Sequence, residues 1–393
     1  MKENFLWGAA TASHQVEGHN HNDWSVWEKE NAERLSRESD GKYPPENYIS
    51  GQACDHYNRY EEDFDIAKSL GHNAHRFSVE WSRIEPEEGK FDEREIEHYR
   101  NIIKALRARG LEPFVTLWHW TLPVWLAKKG GVLADEFPER FARYADRVSD
   151  ALGEHVRFWI TINEPEIYVL NSYMRGLWPP EKKNLVLFYK ALWSIRRAHQ
   201  KAYQSMKHTN QFTFIGVSSN FSYFESGGGI VNALCAWLAD KNWNFYFLNR
   251  IRKTTDFIGL NYYFHNRINY GINKNENKVV SDMGWELYPE GLYHLLLGLR
   301  QFQKPIYITE NGLADAGDTH RAWFIEEHIR YMKKAMEEGA DVRGYLHWSL
   351  LDNFEWDKGF WPRFGLVEID YQTMKRKIRP SALEYKKIIE EGL

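Results

Sequence analysis

Two glutamates stand in short polar motifs that each follow a run of β-branched and apolar residues. Glu164 lies in TINEP (161–165), and Glu310 lies in ITENG (308–312). Two carboxyl groups on either side of one bond can cleave a glycosidic link, because one can protonate the leaving group while the other attacks or activates water. We therefore take Glu164 and Glu310 as the candidate catalytic pair.

The two glutamates need opposite charge states. Glu164, as the proton donor, requires an apolar or negatively charged surrounding that raises its pKa. Glu310 must stay ionised to attack, and Arg76, in HRF (75–77), is a cation that can keep it so. Each glutamate alone has a simpler structural explanation, since Glu before Pro can cap a helix and Glu-Asn-Gly is a common turn signal. Their joint occurrence at two strand ends favours catalysis.

Short runs rich in β-branched and aromatic residues alternate along the chain with longer amphipathic stretches. This order is typical of parallel strands joined by helices. Eight strands are predicted at 5–9, 74–79, 113–117, 158–162, 214–218, 257–261, 306–309 and 344–348. Apolar residues three and four positions apart predict a helix over 137–152, and a second helix is expected to begin near the capping candidates Asp318 and Thr319 and to stop at Gly339.

The predicted fold class is α/β, a single (β/α)8 TIM barrel with decorated βα loops that takes in residues 1–393 as one domain. No Ser- or Pro-rich tether or short repeat divides the chain. In such a barrel the carboxyl ends of the strands meet on one face. Glu164 and Glu310, after the fourth and seventh strands, are therefore expected to meet across one pocket.

The composition of the chain limits the kinds of partner that it is expected to bind. No apolar stretch approaches the roughly 18 residues that span a bilayer, so no membrane contact is expected. The net charge of -4 gives no field that would gather nucleic acid. Cys54 and Cys235 are the only cysteines and suggest neither a disulfide framework nor a zinc cluster. A strand-like run begins at Phe5, so no space is expected for a secretory leader peptide. We expect a cytoplasmic protein that needs no cofactor; its oligomeric state is left open.

Aromatic residues make up 16% of the chain, including 17 Trp, and many of them stand beside polar residues. Sugar rings stack on aromatic faces while their hydroxyl groups need polar partners, so this mixture suits a carbohydrate cleft. A Trp-rich core is the alternative explanation of the composition alone.

The chain resembles glycoside hydrolase family 1, the β-glucosidase and β-galactosidase group, from FLWGAATA (5–12) to RFGL (363–366). The resemblance implies a retaining mechanism, with Glu164 as the general acid/base and Glu310 as the nucleophile. It implies that Tyr263 donates a hydrogen bond to the nucleophile and that Trp348 lies beneath the sugar ring. The candidate substrate-binding residues are Gln15, His119, Trp120, Asn163, Tyr263, Trp348, Glu355, Trp356 and Phe364.

The expected substrate is an unphosphorylated β-glucoside, β-galactoside or related small β-glycoside or oligosaccharide, cleaved in an exo-acting manner. A carboxylate at Glu355 would repel a phosphate group on the sugar. The chain departs from the family pattern at Thr121, where Asp is usual, and at Phe264, where a small polar residue is common. It also departs at NSY (171–173), which lacks the usual Gly, and in the stretch between Phe221 and Asp256, which is short for the family. These departures concern the rim of the barrel.

Two other functions are compatible with parts of the sequence. A metal-dependent hydrolase would use histidines such as His19, His21, His72 and His75, but their positions do not fit several strand ends. A sugar-binding barrel without activity would keep the fold, although the presence of both glutamates disfavours it.

Overall fold

The structure, a computed structural model, describes residues 5–393. Residues 1–4, on which the expectation of no leader partly rests, lie outside the described part. Eight parallel strands close into a barrel in chain order, which confirms the predicted fold class. The barrel strands are β1 (Leu6–Ala10), β2 (Ala74–Ser78), β3 (Glu112–Trp118), β4 (Phe158–Asn163), β5 (Phe214–Ser226), β6 (Phe257–Ile268), β7 (Ile306–Asn311) and β8 (Val342–Trp348).

Helices surround the strands and fill the loops between them. They are α1 (Ser13–Val16), α2 (Asp23–Glu38), α3 (His56–Ser69), α4 (Trp81–Ile84), α5 (Glu93–Ala108), α6 (Val124–Lys128), α7 (Phe137–Leu152), α8 (Pro165–Val169), α9 (Leu185–Thr209), α10 (Ile230–Trp243), α11 (Tyr246–Ile251), α12 (Glu290–Leu299), α13 (Arg321–Glu337) and α14 (Pro380–Glu391). A π-helical turn, Leu170–Arg175, continues α8. The helix predicted over 137–152 is confirmed as α7.

The predicted capping of α13 was wrong. The helix begins at Arg321, and Asp315 accepts hydrogen bonds from the backbone N–H groups of Thr319, His320 and Arg321 at 2.8–3.1 Å. Asp318 instead forms an ion pair with Arg321. A carboxylate placed several residues upstream can satisfy the free amides of a helix start, and sequence spacing alone does not reveal it.

The strands read as continuous apolar runs because a parallel barrel buries both of their faces. At the amino-terminal end the interior is filled by the rings of Phe114, Phe158, Phe257 and Tyr307, with the centroids of Phe114 and Phe158 only 4.4 Å apart. That end of the barrel is closed by packing, so the opening lies at the carboxyl ends of the strands.

β5 and β6 run far beyond their predicted ends and stay paired as far as Ser226 and Ile268. An unpredicted antiparallel hairpin joins β9 (Val367–Asp370) to β10 (Lys375–Ile378). Its second strand, KRKI, is too polar for hydrophobic periodicity to identify. None of the helices described within residues 5–393 is long and apolar enough to cross a membrane.

Three barrel pairings lose their regular register where the functional side chains emerge. The shifts lie between Ile160 and Asn163 in β4, between Leu260 and Asn261 in β6, and between Ile308 and Asn311 in β7. An irregularity of this kind re-aims side chains at the rim of a barrel. These irregularities therefore direct the side chains at the ends of β4, β6 and β7 toward one region of the barrel.

Candidate active site

A cavity of about 320 Å³ opens at the carboxyl ends of the barrel strands. Glu164 and Glu310 both line it, although 146 positions separate them in sequence. The other sequence-predicted residues that line it are Gln15, His119, Trp120, Tyr263, Trp348, Glu355, Trp356 and Phe364. Arg76 and Asn163 lie behind this wall, almost or completely buried. The structure thus brings all the predicted residues into one region.

Glu310, near the end of β7, has a partner for each carboxyl oxygen. Arg76 of β2 forms a buried ion pair with its Oε1 atom, and the Tyr263 hydroxyl donates a 2.7 Å hydrogen bond to its Oε2 atom. The guanidinium is itself held by Thr116, at 3.0 Å from its Nε atom. A cation and a hydroxyl therefore orient this carboxylate and favour its charged form.

Glu164 has only neutral partners. The side-chain amides of Asn220 and Asn261 donate hydrogen bonds to its Oε1 atom at 3.1 and 2.9 Å. Glu164 caps α8 in a left-handed backbone conformation, with φ 40° and Pro165 as the first helical residue. This turn, which is costly for a residue other than Gly, ends β4 abruptly and places the carboxyl group in the cavity.

The two carboxyl groups differ in pKa because their partners differ. Burial and, to a smaller extent, the charge of Glu310 together raise the pKa of Glu164 to about 8. Burial also raises the pKa of Glu310, but Arg76, Tyr263 and Asn261 oppose that shift. Arg76 is a cation in direct contact with Glu310 and not with Glu164. Glu310 is therefore the group that ionises first, and Glu164 is the group that keeps its proton.

Asn163 and His119 form a fixed polar unit beside the pair. The Asn163 Oδ1 atom accepts from Arg76 at 2.7 Å, and its amide nitrogen donates to His119 Nε2 at 3.1 Å. Burial lowers the pKa of His119 well below its usual value, and Arg76 lowers it further. His119 is therefore neutral, and its Nδ1 atom carries the proton.

Gln15 and Glu355 form the polar edge farther along the cavity. The Gln15 amide donates to the Asn353 side chain at 2.9 Å and to Glu355 at 3.3 Å, while its own Oε1 atom is buried without a partner. Burial, together with the charges of Asp357 and Glu310, raises the pKa of Glu355 to about 8. A group of this kind can donate as well as accept hydrogen bonds near neutral pH.

Aromatic rings form the walls. His119 stacks between Trp348 and Trp356, with interplanar angles of 20° and 13°, and the Trp120 indole donates to the Asn163 carbonyl at 2.8 Å. The turn after Glu310 approaches Trp348 so closely that a Cβ atom on Gly312 would lie 1.7 Å from the Trp348 carbonyl oxygen. Glycine at the end of the ITENG motif is therefore a packing requirement.

The entrance of the cavity combines apolar side chains with the charged Arg175, Asp357 and Lys358, and sequence reasoning did not identify most of it. Phe264 packs against Trp285 at 4.6 Å between ring centroids, and Met283, Ile167 and Leu177 line the same entrance. Phe264 had been noted only as a departure from the family pattern. In the structure it extends the apolar surface of the mouth.

Asn220 and Asn261 were also missed as site residues. Asn220 lies on the part of β5 that exceeds its predicted length, so no strand-end rule pointed to it. Asn261 stands two positions before Tyr263, and its place at a predicted strand end was the one available signal.

Thr121, another departure from the family pattern, has a structural explanation. Its hydroxyl donates to both oxygens of Glu80, at 3.1 and 3.0 Å, and Glu80 is completely buried. An Asp at position 121 would place a second carboxylate against Glu80, which like-charge repulsion disfavours. At this place the buried carboxylate is therefore that of Glu80, and position 121 carries a neutral hydroxyl group.

The histidines of the metal alternative do not meet. His19 and His21 are exposed, whereas His72 and His75 are buried. Over residues 5–393 the structure shows no group of three or more His, Cys, Asp and Glu side chains suited to a metal ion.

Comparison with known proteins assigns the family. The sequence profile of Glycosyl hydrolase family 1 matches residues 1–227 and 244–392. A 1,4-beta-D-glucan glucohydrolase of Thermotoga neapolitana is 33% identical over 99% of this chain and 98% of its own length. A beta-galactosidase of Sulfolobus acidocaldarius is 31% identical over 93% of this chain and 89% of its own length.

Solved structures agree with the sequence relatives. A beta-glycosidase from Pyrococcus horikoshii superposes with a TM-score of 0.90 at 37% identity, covering 99% of this chain and 94% of that one. A beta-glucosidase from Thermotoga maritima in complex with glucoimidazole superposes with a TM-score of 0.89 at 30% identity, covering 99% and 98%. The match extends over nearly the whole chain, so this protein belongs to glycosyl hydrolase family 1 and is a glycosidase.

Proposed function

We propose that this protein is a retaining, exo-acting β-glycosidase that hydrolyses unphosphorylated β-glucosides, β-galactosides or related β-glycosides by double displacement. Glu310 is the nucleophile and Glu164 the general acid/base. The observation that carries the proposal is the asymmetry of the pair: Arg76 and Tyr263 hold Glu310, whereas two neutral amides hold Glu164. The Thermotoga and Sulfolobus relatives, by their names, act on β-glucans and β-galactosides.

In the first step the Glu310 Oε1 or Oε2 atom bonds to the anomeric carbon as the bond from that carbon to the leaving oxygen breaks. The proton of Glu164 passes to the leaving oxygen. Direct attack requires the two carboxyl groups to lie about 5–5.5 Å apart. The raised pKa of Glu164, about 8, supports its role as the acid at neutral pH.

In the second step the roles reverse. Once Glu310 is esterified its charge is gone, and the Coulombic contribution that raised the pKa of Glu164 is lost. Glu164 can then take a proton from water, and the water oxygen bonds to the anomeric carbon from the face that the leaving group occupied while the ester bond to Glu310 breaks and its carboxylate is restored. The two inversions together retain the β configuration.

The polar end of the cavity supports a single neutral sugar ring as the bound group. Gln15 has a buried oxygen without a partner, and Glu355 can exchange hydrogen bonds with ring hydroxyls. Charged Glu355 repels a phosphate and neutral Glu355 does not attract one, so neither form favours phosphorylated sugars. Side-by-side assays of nitrophenyl β-glycosides rank the epimers, which differ in the orientation of one hydroxyl group.

Two buried carboxyl groups coupled across one cavity support turnover over sugar binding without activity. We further propose that residues 1–393 act as one catalytic domain in the cytoplasm, which rests on the sequence expectations alone.

The first prediction concerns the electrostatic coupling of the pair. Changing Glu310→Gln removes the charge that raises the pKa of Glu164, so the pKa of Glu164 should fall below about 8. Carbon-13 NMR titration of labelled glutamate carboxyl groups measures it, and Glu164→Gln assigns the signal. An unchanged pKa of Glu164 in the Glu310→Gln variant would contradict the coupling.

The second prediction concerns the nucleophile. Glu310→Gly should reduce hydrolysis by several orders of magnitude, because no group remains to form the glycosyl-enzyme. Added azide should enter the vacated space and yield an α-glycosyl azide from a β-glycoside with an activated leaving group, which proton NMR identifies. The matched control is Glu164→Gly, in which azide replaces water on the opposite face and the product is the β-azide. Unchanged hydrolytic activity in the Glu310→Gly variant would contradict the assignment of Glu310 as the nucleophile.

The third prediction concerns the acid. Glu164→Ala should lower kcat/KM for an alkyl β-glucoside by about 10²–10⁴-fold, because its leaving group needs protonation. A dinitrophenyl glucoside, whose leaving group needs little help, should lose much less in that first step. The ratio of the two losses is the readout, and equal losses would count against the acid role.

A further inference from the structure

Helix α10 turns its apolar side chains outward. Ile230, Val231, Leu234 and Trp237 are exposed to 89%, 61%, 55% and 55%. The buried residues of this helix are Asn232 and Ala236. A surface helix ordinarily buries its apolar stripe and exposes its polar one, so α10 has the opposite arrangement.

Neighbouring segments extend this apolar surface. At the start of α9, Leu185, Val186, Tyr189 and Trp193 are exposed to 54%, 74%, 50% and 48%, and beyond β6, Tyr270 and Ile272 are exposed to 85% and 70%. The Asn232 side chain of α10 accepts a 2.9 Å hydrogen bond from the Tyr270 backbone. Tyr189 lines one pocket together with Trp243 at the end of α10.

We call this surface the docking face. Its members are Ile230, Val231, Leu234, Trp237, Leu185, Val186, Tyr189, Trp193, Tyr270 and Ile272.

The central helix of the docking face is not part of the family's common sequence. The family profile matches residues 1–227 and 244–392, and the unmatched stretch 228–243 contains all of α10. The barrel and its cavity are built from matched segments. The exposed apolar residues of α10 therefore need an explanation other than the fold, because contiguous apolar surface of this kind marks an interaction site.

Lysines stand beside the docking face, and the nearest glutamates are already paired, Glu181 with Arg34 and Glu276 with Arg267 and Lys278. The stretch 182–193 contains Lys182, Lys183 and Lys190 and no Asp or Glu, and Lys274 follows Ile272 closely. In α10 the one acidic residue, Asp240, is paired with Lys241 at 3.6 Å. The whole chain carries a net charge of -4, so this local excess of lysine is not an average property of its surface.

We propose that the docking face binds an anionic lipid surface, with the apolar side chains of α10 inserted at the level of the acyl chains and the lysines against the headgroups. Trp and Tyr prefer this interface, and lysines near it add attraction to anionic lipids. The sequence expectation of no membrane contact considered only spanning segments, and a peripheral contact needs none. The proposal is independent of the catalytic assignments.

Lipid fits better than a second copy of the chain. A two-fold dimer through this face would bring two lysine-bearing surfaces together, and their positive charges would repel. The face also borders the cavity entrance: the Lys182 backbone donates to the Ser172 carbonyl at 2.8 Å in the π-helical turn, and Leu177, 41% exposed, lines the cavity. A docked molecule would therefore hold its cavity entrance near the lipid.

Sedimentation with lipid vesicles tests the proposal on the full chain. The protein should bind vesicles that contain phosphatidylglycerol, and more weakly those of phosphatidylcholine alone. The double change Leu234→Ser and Trp237→Ser should reduce binding at least about tenfold, because two side chains lose their burial. The matched control is Phe212→Ser with Leu383→Ser, which alters two apolar side chains exposed to 78% and 49% outside the face.

Activity on a water-soluble nitrophenyl glycoside should be unchanged in both double variants, which verifies that they fold. Binding to neither kind of vesicle, or an equal loss in face and control variants, would overturn the proposal. So would equal binding to both lipids, or a stable dimer in solution that only the face variants dissociate. Loss of the anionic preference in Lys182→Glu with Lys190→Glu would support it.

Discussion

The buried ion pair between Arg76 and Glu310 is the interaction on which the active centre depends. Arg76 is 1% exposed and Glu310 4%, so neither charge is solvated and each needs the other. The other guanidinium hydrogen bonds go to the side chains of Thr116 and Asn163 and to the Thr309 carbonyl, which ties β2 to β3, β4 and β7. Removing one partner of such a pair leaves a buried charge, at a cost of about 3–5 kcal/mol. The barrel thus holds the Glu310 carboxylate that the proposed attack requires.

The same burial has a different effect on Glu164 because no cation is in contact with it. Without a cation, burial and the charge of Glu310 keep it protonated. Asn261 contacts both carboxyl groups: it donates to Glu164 at 2.9 Å and lowers the pKa of Glu310 by a hydrogen bond. One low-dielectric cavity therefore supports an acid and a base side by side, since pKa differences follow from partners and not from residue type.

Much of this could be predicted from the sequence because the periodic features are strong. Eight apolar strand patterns, and motifs fixed at two strand ends, sufficed to bring Glu164 and Glu310 to one face. What could not be predicted depends on contacts distant in sequence. Asn220 reaches the site only because β5 is longer than its sequence pattern predicts. Asp315 caps a helix that begins six residues later. The apolar residues of α10 look like those of an ordinary buried helix until its neighbours in the structure are known.

We propose that Glu310 forms the covalent bond to the sugar. A β-glucoside that carries fluorine at C2 and a dinitrophenolate leaving group tests it most directly, because the fluorine slows release of the glycosyl-enzyme. Peptide mapping by mass spectrometry should then find the fluorosugar attached to Glu310, with one sugar per chain. An adduct on Glu164 or on another residue, or turnover with inverted configuration and no adduct, would contradict the account.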